Sequence, residues 1–222
     1  STEKTEETEK PEGTETTEET ETKATDVSKV ILITDSEYQV VSIDQSIPLP
    51  DYVFYPNSDT DKTAVEWTVD DLNVAEVATT TDANGKVSGT VKAKAAGVAV
   101  VKLQVVGKTE VNAAFRLIVR PTNEPKNCKA DATYNSVSLS WSPVADANGY
   151  TITRKVEGSD TEQTIAHVDG TDTVSYKDTA AQTGISYIYH VYAYTKYTNN
   201  GQTDYANTDA YASVKATPQI GK

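Results

Sequence analysis

The aromatic residues of the chain are concentrated in one short stretch, YIYHVYAYTKY at residues 187–197, which holds five of the thirteen tyrosines. Tyrosine rings stack on sugar faces and their hydroxyls form hydrogen bonds, so an exposed row of them could bind a glycan or a peptide. The same row could instead stabilise a β-sheet through cross-strand pairs. The chemistry of this stretch therefore depends on which rings are exposed.

Side chains alternate between the two faces of a β-strand, and this alternation divides the stretch. We predict that Tyr187 and Tyr189 lie on the buried face, and that His190, Tyr192 and Tyr194 lie on the outward face. Further tyrosines flank that face from the last predicted hairpin. The candidate ligand face comprises His190, Tyr192, Tyr194, Tyr197, Tyr205 and Tyr211. Sheet stabilisation, or packing against a neighbouring domain, is the alternative that the pattern leaves open.

Nucleophilic catalysis needs a base within hydrogen-bond reach of a hydroxyl or thiol. The two histidines, His167 and His190, both occur in strand-like sequence, and the single cysteine, Cys128, is expected to pack as a small apolar residue. Three pairs of carboxylates are close in sequence: Asp59 and Asp61, Asp70 and Asp71, and Asp169 and Asp172. Turns favour aspartate for local hydrogen bonding, so these pairs do not by themselves indicate a glycosidase. We predict that the protein is not an enzyme.

The chain also has few residues that could form a metal site. One cysteine and two histidines are too few for a Cys-based or His-cluster site, and no intrachain disulfide can form. The loops NSDTD (57–61) and DGTD (169–172) offer oxygen ligands that suit Ca²⁺, but neither has the spacing of a dedicated calcium loop. We predict no cofactor, with Ca²⁺ in these loops as the alternative. A Lys–Asn isopeptide cross-link also stays open.

Acidic charge is concentrated at the start of the chain. The formal net charge is −13, and residues 1–26 hold ten acids and three lysines, which leaves −6 for the other 196 residues. No basic stripe is present to follow a phosphate backbone, so nucleic acid is not an expected partner. Residues 1–26 contain nine glutamates, nine threonines and a single aliphatic side chain, which predicts a disordered, extended spacer. No apolar run approaches the ~20 residues that a membrane helix needs.

From residue 27 onward the sequence is typical of an all-β protein. Short β-branched and aromatic runs alternate with turn residues, as in β-sandwiches. Asn84 and Gly85 form a two-residue hairpin signal, and PTNEPKN at 121–127 has the two prolines and two asparagines of a linker. We predict two tandem immunoglobulin-like β-sandwiches. The predicted organisation is a spacer over 1–26, a sandwich over 27–120, a linker over 121–127, a sandwich over 128–218 and a tail over 219–222.

The first sandwich carries a recognisable series of short segments. Trp67 is followed by VAEV at 74–77, by Gly-Lys-Val at 85–87 and by AGVAV at 96–100. This order resembles the bacterial immunoglobulin-like domain, group 2. The resemblance covers roughly residues 27–120 and implies that Trp67 lies in the sandwich core.

The second sandwich has Trp141 in SLSWSP and Tyr150 in GYTITR, followed by GISYIYHVYA at 184–193. This series is similar to the fibronectin type III domain. The resemblance implies that Trp141 and Tyr150 lie in the core, and that Tyr187 forms a tyrosine corner after the turn at Gly184. Tyr189 is then a further core residue of the same strand. The Arg-Gly-Asp motif of some animal members does not occur here.

Both families are mostly non-catalytic, and their bacterial members serve as spacers, as adhesion modules or as companions of carbohydrate-active enzymes. The resemblance therefore implies a non-catalytic module for adhesion or presentation on a bacterial surface or outside the cell. Carbohydrate binding by the tyrosine face is the alternative function. The expected partner is a host or bacterial surface protein or a glycan. We expect a monomer, with any lipid or wall anchor lying outside this chain.

Overall fold

The computed structural model describes residues 27–56 and 63–221 of the chain. The predicted spacer at 1–26, the NSDTD loop and the pair Asp59 and Asp61 lie outside the described residues. The regular elements of the described ranges are all β-strands, and no helix there is long and apolar enough to cross a membrane. The predicted all-β class is therefore confirmed.

The strands of the first domain are β1 (Lys29–Ile33), β2 (Tyr38–Ser42), β3 (Ser46–Pro48), β4 (Asp51–Tyr55), β5 (Val65–Val69), β6 (Ala75–Thr81), β7 (Val87–Ala93), β8 (Gly97–Val105) and β9 (Lys108–Arg120). The strands of the second domain are β10 (Lys126–Ala132), β11 (Val137–Ser142), β12 (Gly149–Val156), β13 (Gln163–Asp169), β14 (Ser175–Asp178), β15 (Tyr187–Asn199), β16 (Gln202–Asn207) and β17 (Ala212–Ala216). The last two residues of the predicted linker therefore belong to β10.

The first sandwich packs a four-stranded sheet against a layer made of two smaller sheets. The four-stranded sheet has the order β2–β9–β8–β5, with β2 parallel to β9, and the facing strands pair as β3–β7–β6 and as β1–β4. Strand β3 ends at Pro48, and Pro50 lies between β3 and β4, since proline cannot donate a ladder hydrogen bond. Alternation in β8 buries Ala99, Val101 and Leu103 in the core. Trp67 is also buried there and contacts Phe115 edge-to-face.

The predicted hairpin around Asn84 and Gly85 is present, but its loop is longer than two residues. Strands β6 and β7 pair antiparallel up to Thr81 and Val87, so the loop spans residues 82–86. Asp82 closes this loop, because its carboxylate accepts hydrogen bonds from the backbone amides of Asn84 and Lys86. The positive φ of Gly85 allows the chain to turn there.

The second sandwich packs the sheet β10–β11–β14 against a larger sheet with the order β13–β12–β15–β16. Strand β17 pairs with the first half of β15, and β16 pairs with the second half. Trp141, Tyr150, Tyr187 and Tyr189 are all buried in the core between these sheets. The two β-sandwiches follow one another along the chain, as the sequence predicted.

Strand β15 extends beyond its own sandwich and contacts the first domain. Tyr197, Ile118 and Ala206 form a buried apolar cluster, and Tyr38 packs against it. We call these four residues the joint. Tyr38 and Tyr197 have ring centroids 5.4 Å apart. The joint therefore connects both domains through side chains that the predicted domain boundaries assigned to different units.

Candidate functional site

The candidate ligand face, apart from Tyr197, lies on the outer side of the β13–β12–β15–β16 sheet. Tyr187, Tyr189, Val191 and Ala193 of β15 point into the core, whereas the residues between them point outward. The outward residues of β15 meet those of β12 and β13 through an antiparallel register in which Tyr192 is opposite Thr151. Alternation alone is therefore sufficient to divide the first part of β15 between the two faces.

Tyr194 points outward but is fully buried, so the expectation that it forms part of an exposed row is wrong. The cause is Gly149, which is opposite Tyr194 on β12. A Cβ atom at Gly149 would lie 2.4 Å from the Tyr194 hydroxyl oxygen, so the phenol ring occupies the space that a side chain would fill. The hydroxyl then reaches across β12 to β13, where it donates to Asp169 Oδ1 at 2.6 Å.

Two further rings cover Tyr194 from the solvent side. Tyr205 of β16 contacts it edge-to-face, with ring centroids 4.8 Å apart. His167 of β13 stacks on Tyr205 at 3.7 Å with an interplanar angle of 6°. We call Gly149, His167, Tyr194 and Tyr205 the Tyr194 cluster. Its ring faces are largely occupied by one another, which leaves little of Tyr194 for a ligand.

His190 is also buried, at 7% exposure, and the expectation that it is an exposed ligand residue is wrong. The hairpin that joins β12 to β13 places Glu162 beside it, with 2.8 Å between His190 Nδ1 and Glu162 Oε1. Tyr211 covers the imidazole from outside, at a centroid distance of 4.1 Å. Tyr192 contacts the same Tyr211 ring at 5.1 Å. Of the predicted ligand rings, Tyr211 is exposed, and Tyr192 and Tyr205 are half-buried.

Tyr197 does not belong to the outer face. It shares the inward direction of Tyr187 and Tyr189, but at its position β15 has passed the end of its own sandwich. The first domain supplies the covering surface there, and the Tyr197 hydroxyl donates to Asp204 Oδ2 at 3.1 Å. Assigning Tyr197 to a ligand face was therefore wrong, because its ring is buried against Ile118 of β9 and Tyr38 of β2 in the other domain.

Burial governs the ionisation of this face. Burial, together with the hydrogen bond to Asp169, holds the pKa of Tyr194 well above its ordinary value. Burial lowers the pKa of His167, which keeps its imidazole neutral to lower pH than usual. Hydrogen bonds from Tyr194 and Lys196 lower the pKa of Asp169. Tyr194 and His167 are thus uncharged at neutral pH, beside the exposed carboxylate of Asp169.

The hydrogen bonds around His167 do not create a nucleophile. The Thr151 hydroxyl donates to Asn207 Oδ1 at 2.7 Å, so its proton points away from His167 Nδ1, which lies 3.0 Å from the same oxygen. His167 Nδ1 must then be the donor to Thr151, which is the reverse of the arrangement for general-base activation. Thr151 is also buried, so a substrate has no direct access to it.

The other residues that the sequence suggested for catalysis or metal binding form local structural contacts. Asp71 Oδ1 accepts the amide of Asn73, and Asp70 Oδ1 accepts the amide of Val100. Within residues 27–56 and 63–221, no three His, Cys, Asp or Glu side chains are grouped so that they could hold a metal ion. Cys128 is half-buried against the second core, and burial raises the pKa of its thiol.

One charged network lies on the inner side of β15. Asp178 is 2% exposed and accepts hydrogen bonds from Arg154 Nη1 and the Tyr189 hydroxyl, both at 2.8 Å. The adjacent corner forms where the amide of Gln182 donates to the Tyr187 hydroxyl at 3.2 Å. Arg154 also lies over the Tyr187 ring, 4.9 Å from its centroid.

Sequence reasoning missed the partners that determine these environments, namely Gly149, Glu162 and Arg154. Each lies on β12 or its hairpin, far from β15 in sequence. A signal for one of them was present, since Gly149 opens a strand in which glycine is unfavourable unless another group fills the space. The outward threonines of GYTITR were a second signal, because their hydroxyls require polar partners when a neighbouring ring covers them.

No protein-family model matches this chain, and a search of curated proteins finds no relative. Among solved structures, the chain is similar to a Fn3-like protein from Clostridium thermocellum, with 28% identity over 46% of this chain and 98% of that one and a TM-score of 0.32. It is similar to a multidomain titin structure with 14% identity, 84% and 65% coverage and a TM-score of 0.38. It is also similar to the fn3 domain of the human collagen alpha-1(XX) chain, with 16% identity, 46% and 90% coverage and a TM-score of 0.34. The fold assignment rests on the strand order and register.

Proposed function

We propose that this chain is a non-catalytic module of a secreted or surface-attached bacterial protein, which presents a binding surface to another protein at a fixed orientation. The observation that carries the proposal is the connection between the domains. The Thr195 hydroxyl of β15 donates to the Val119 carbonyl of β9 at 2.7 Å, and both residues are buried. Such a contact restrains bending between two sandwiches that a short linker would otherwise leave free.

Polar contacts surround the apolar joint on both sides. Arg120 Nη2 lies 2.8 Å from Asp209 Oδ2, and an Arg116 guanidinium nitrogen donates to the Thr198 carbonyl. The Asn199 amide donates to the Tyr38 hydroxyl at 3.4 Å. A buried apolar contact with hydrogen bonds around it has the composition of a stable interface rather than of a flexible hinge.

Spin-label distances test this rigidity. In a Cys128→Ser background, labels at Thr80→Cys and Lys177→Cys, one on each domain, should give a single narrow distance distribution. Adding Tyr197→Ala should broaden it, because the joint loses its central ring. Tyr211→Ala removes a tyrosine from the outer face, away from the joint, and should leave the distribution narrow. A broad distribution in the parent protein would contradict the proposal.

Glycan binding by the outer face is a second candidate, favoured by the exposed ring of Tyr211 beside the half-buried Tyr192. Glycan-array signal that is lost in the Tyr192→Ala, Tyr211→Ala double variant would support it. Tyr134→Ala is the matched control, since Tyr134 is exposed elsewhere in the second domain. Silence of the parent protein across a broad array would remove this candidate.

The setting that we propose follows from the two resemblances and the charge distribution. The first sandwich is assigned to the bacterial immunoglobulin-like group 2 type and the second to the fibronectin type III type. The acidic Thr- and Glu-rich segment at 1–26 would hold the module away from an envelope, with a lipid or wall anchor outside the chain. We propose a monomer without a cofactor, and calcium titration monitored by thermal unfolding tests the alternative of Ca²⁺ in the Asp-rich loops.

A further inference from the structure

Two strand edges of the first domain face one another across an open groove. Strand β1 forms one wall with residues 29–32, and β9 forms the other with residues 112–114. The groove has a volume of about 420 Å³. We call it the edge groove.

The β9 side of the edge groove presents backbone groups that have no ladder partner among the described residues. Strand β2 pairs with β9 only from Arg116 to Arg120. The Arg116 amide donates to the Glu37 carbonyl at 2.9 Å, so Arg116 directs its backbone groups to that side. Because alternate residues of a strand direct these groups the same way, Asn112 and Ala114 direct theirs into the edge groove.

The β9 wall of the edge groove lacks the usual protection of a sheet edge, whereas Lys29 lines the β1 wall. Natural edges are commonly blocked by lysine, proline or a bulge. Here the β9 wall has the short side chains of Ala113 and Ala114, which allow another backbone to approach closely. On the opposite wall, Ile31 is 43% exposed, which provides apolar surface for an added strand.

The charge at one end of the edge groove selects the occupant. Asp35 and Glu37 are exposed there, and neither forms an ion pair with any residue of the described ranges. A basic side chain would be attracted to this end. A second copy of the chain is disfavoured, because each copy carries a formal charge of −13. The acidic segment at 1–26 is disfavoured for the same reason.

We propose that the edge groove is a strand-addition site for an extended peptide of a partner protein, with an apolar centre and a lysine or arginine next to Asp35 and Glu37. Backbone hydrogen bonds to Asn112 and Ala114 supply the affinity, and the charged end fixes the orientation. The proposal rests on the proposed function, since it identifies the surface that the rigid module presents and the class of partner.

The test uses the full chain and the blocked hexapeptide Val-Thr-Val-Thr-Val-Lys, together with its reverse sequence. Amide chemical shifts measured by NMR should change at Asn112 and Ala114, and hydrogen exchange there should slow on addition of one of the two peptides. The same peptides with glutamate in place of lysine should bind more weakly. Double substitution of Asp35 and Glu37 by lysine should weaken binding of the lysine peptide by about fivefold. The glutamate peptide should then bind more tightly than the lysine peptide.

Ala114→Pro is the second variant, because it removes one groove-facing donor on the side of β9 that does not pair with β8. This variant should bind the peptide at least about tenfold more weakly, whereas Ala114→Ser keeps the donor and should bind it like the parent. Unchanged amides with both peptides at millimolar concentration would overturn the proposal. Concentration-dependent shifts at the edge groove without peptide would also overturn it, since the occupant would be a second copy.

The spin-label measurement separates the two proposals. A narrow interdomain distance without peptide binding would reject the strand-addition site and leave the rigid module intact. Peptide binding with a broad interdomain distance would reject the rigid module and leave the strand-addition site intact.

Discussion

The two sandwiches share an architecture but differ in what their buried groups are. Each core contains one tryptophan against another ring, Trp67 with Phe115 in the first domain and Trp141 with Tyr150 in the second. The buried polar side chains of the described residues all belong to the second domain: Ser136, Thr151, Thr153, Asp178, His190, Thr195 and Thr208. The first domain is therefore held mainly by apolar burial, and the second also by hydrogen-bonded aromatic and charged networks.

This difference has an energetic consequence. Apolar cores tolerate changes that preserve volume, whereas a buried polar network loses much of its value when one member is removed and its partners stay buried. The second domain should therefore respond more strongly to the loss of single polar groups. Its two networks, around Asp178 inside and Tyr194 outside, lie on opposite faces of the same strand.

The largest expected effect comes from Asp178→Ala. The half-buried Arg154 and the buried Tyr189 hydroxyl would then lose their acceptor, and the free energy of unfolding of the second domain should fall by about 3 kcal/mol. In denaturant titrations, a variant whose only tryptophan is Trp67 reports the unfolding of the first domain. A variant whose only tryptophan is Trp141 reports the unfolding of the second. The exposed Asp131→Ala is the control. A loss below about 1 kcal/mol would mean that the inner network adds little to the apolar core.

Two glycine substitutions, one in each domain, should change the free energy of unfolding by an intermediate amount. A Cβ atom would lie 2.0 Å from the Ala78 carbonyl oxygen at Gly89 and 2.1 Å from the Val168 carbonyl oxygen at Gly149. Gly89→Ala and Gly149→Ala should each cost about 1–3 kcal/mol through overpacking. Only Gly149→Ala also displaces Tyr194, so adding Tyr194→Ala should recover part of its cost. If the double variant instead loses as much stability as the two single variants Gly149→Ala and Tyr194→Ala together, the position of Tyr194 does not depend on Gly149.

The smallest expected effect concerns His167. Burial lowers its pKa in the folded protein below the ordinary value of about 6.5, so the unfolded chain binds more protons in that range. Stability should therefore be full above pH ~6.5 and decrease as the pH falls through the folded pKa. NMR titration of the imidazole should show the lowered pKa, and Tyr205→Ala should raise it toward 6.5. An unchanged pKa in Tyr205→Ala would show that the stacked ring does not contribute to the burial.

Several particular features were predictable from the chain alone. Alternation in β15 correctly separated Tyr187 and Tyr189 from their outward neighbours, because strand geometry has a period of two residues. The same rule could not show that Tyr194 is covered, since Gly149 and Tyr205 approach it from other strands. Nor could it show that Glu162 reaches His190 from a hairpin.

The sequence by itself determined the all-β class, the two successive sandwiches and the direction in which the side chains of β15 point. These properties depend on local periodicity and turn residues, which are readable within a few positions. Only the tertiary structure decided which outward rings are covered, where Tyr197 finds its partner and which half of β9 keeps an open edge. Those outcomes depend on strand register and on contacts between domains, and such contacts join residues that are tens of positions apart in the chain.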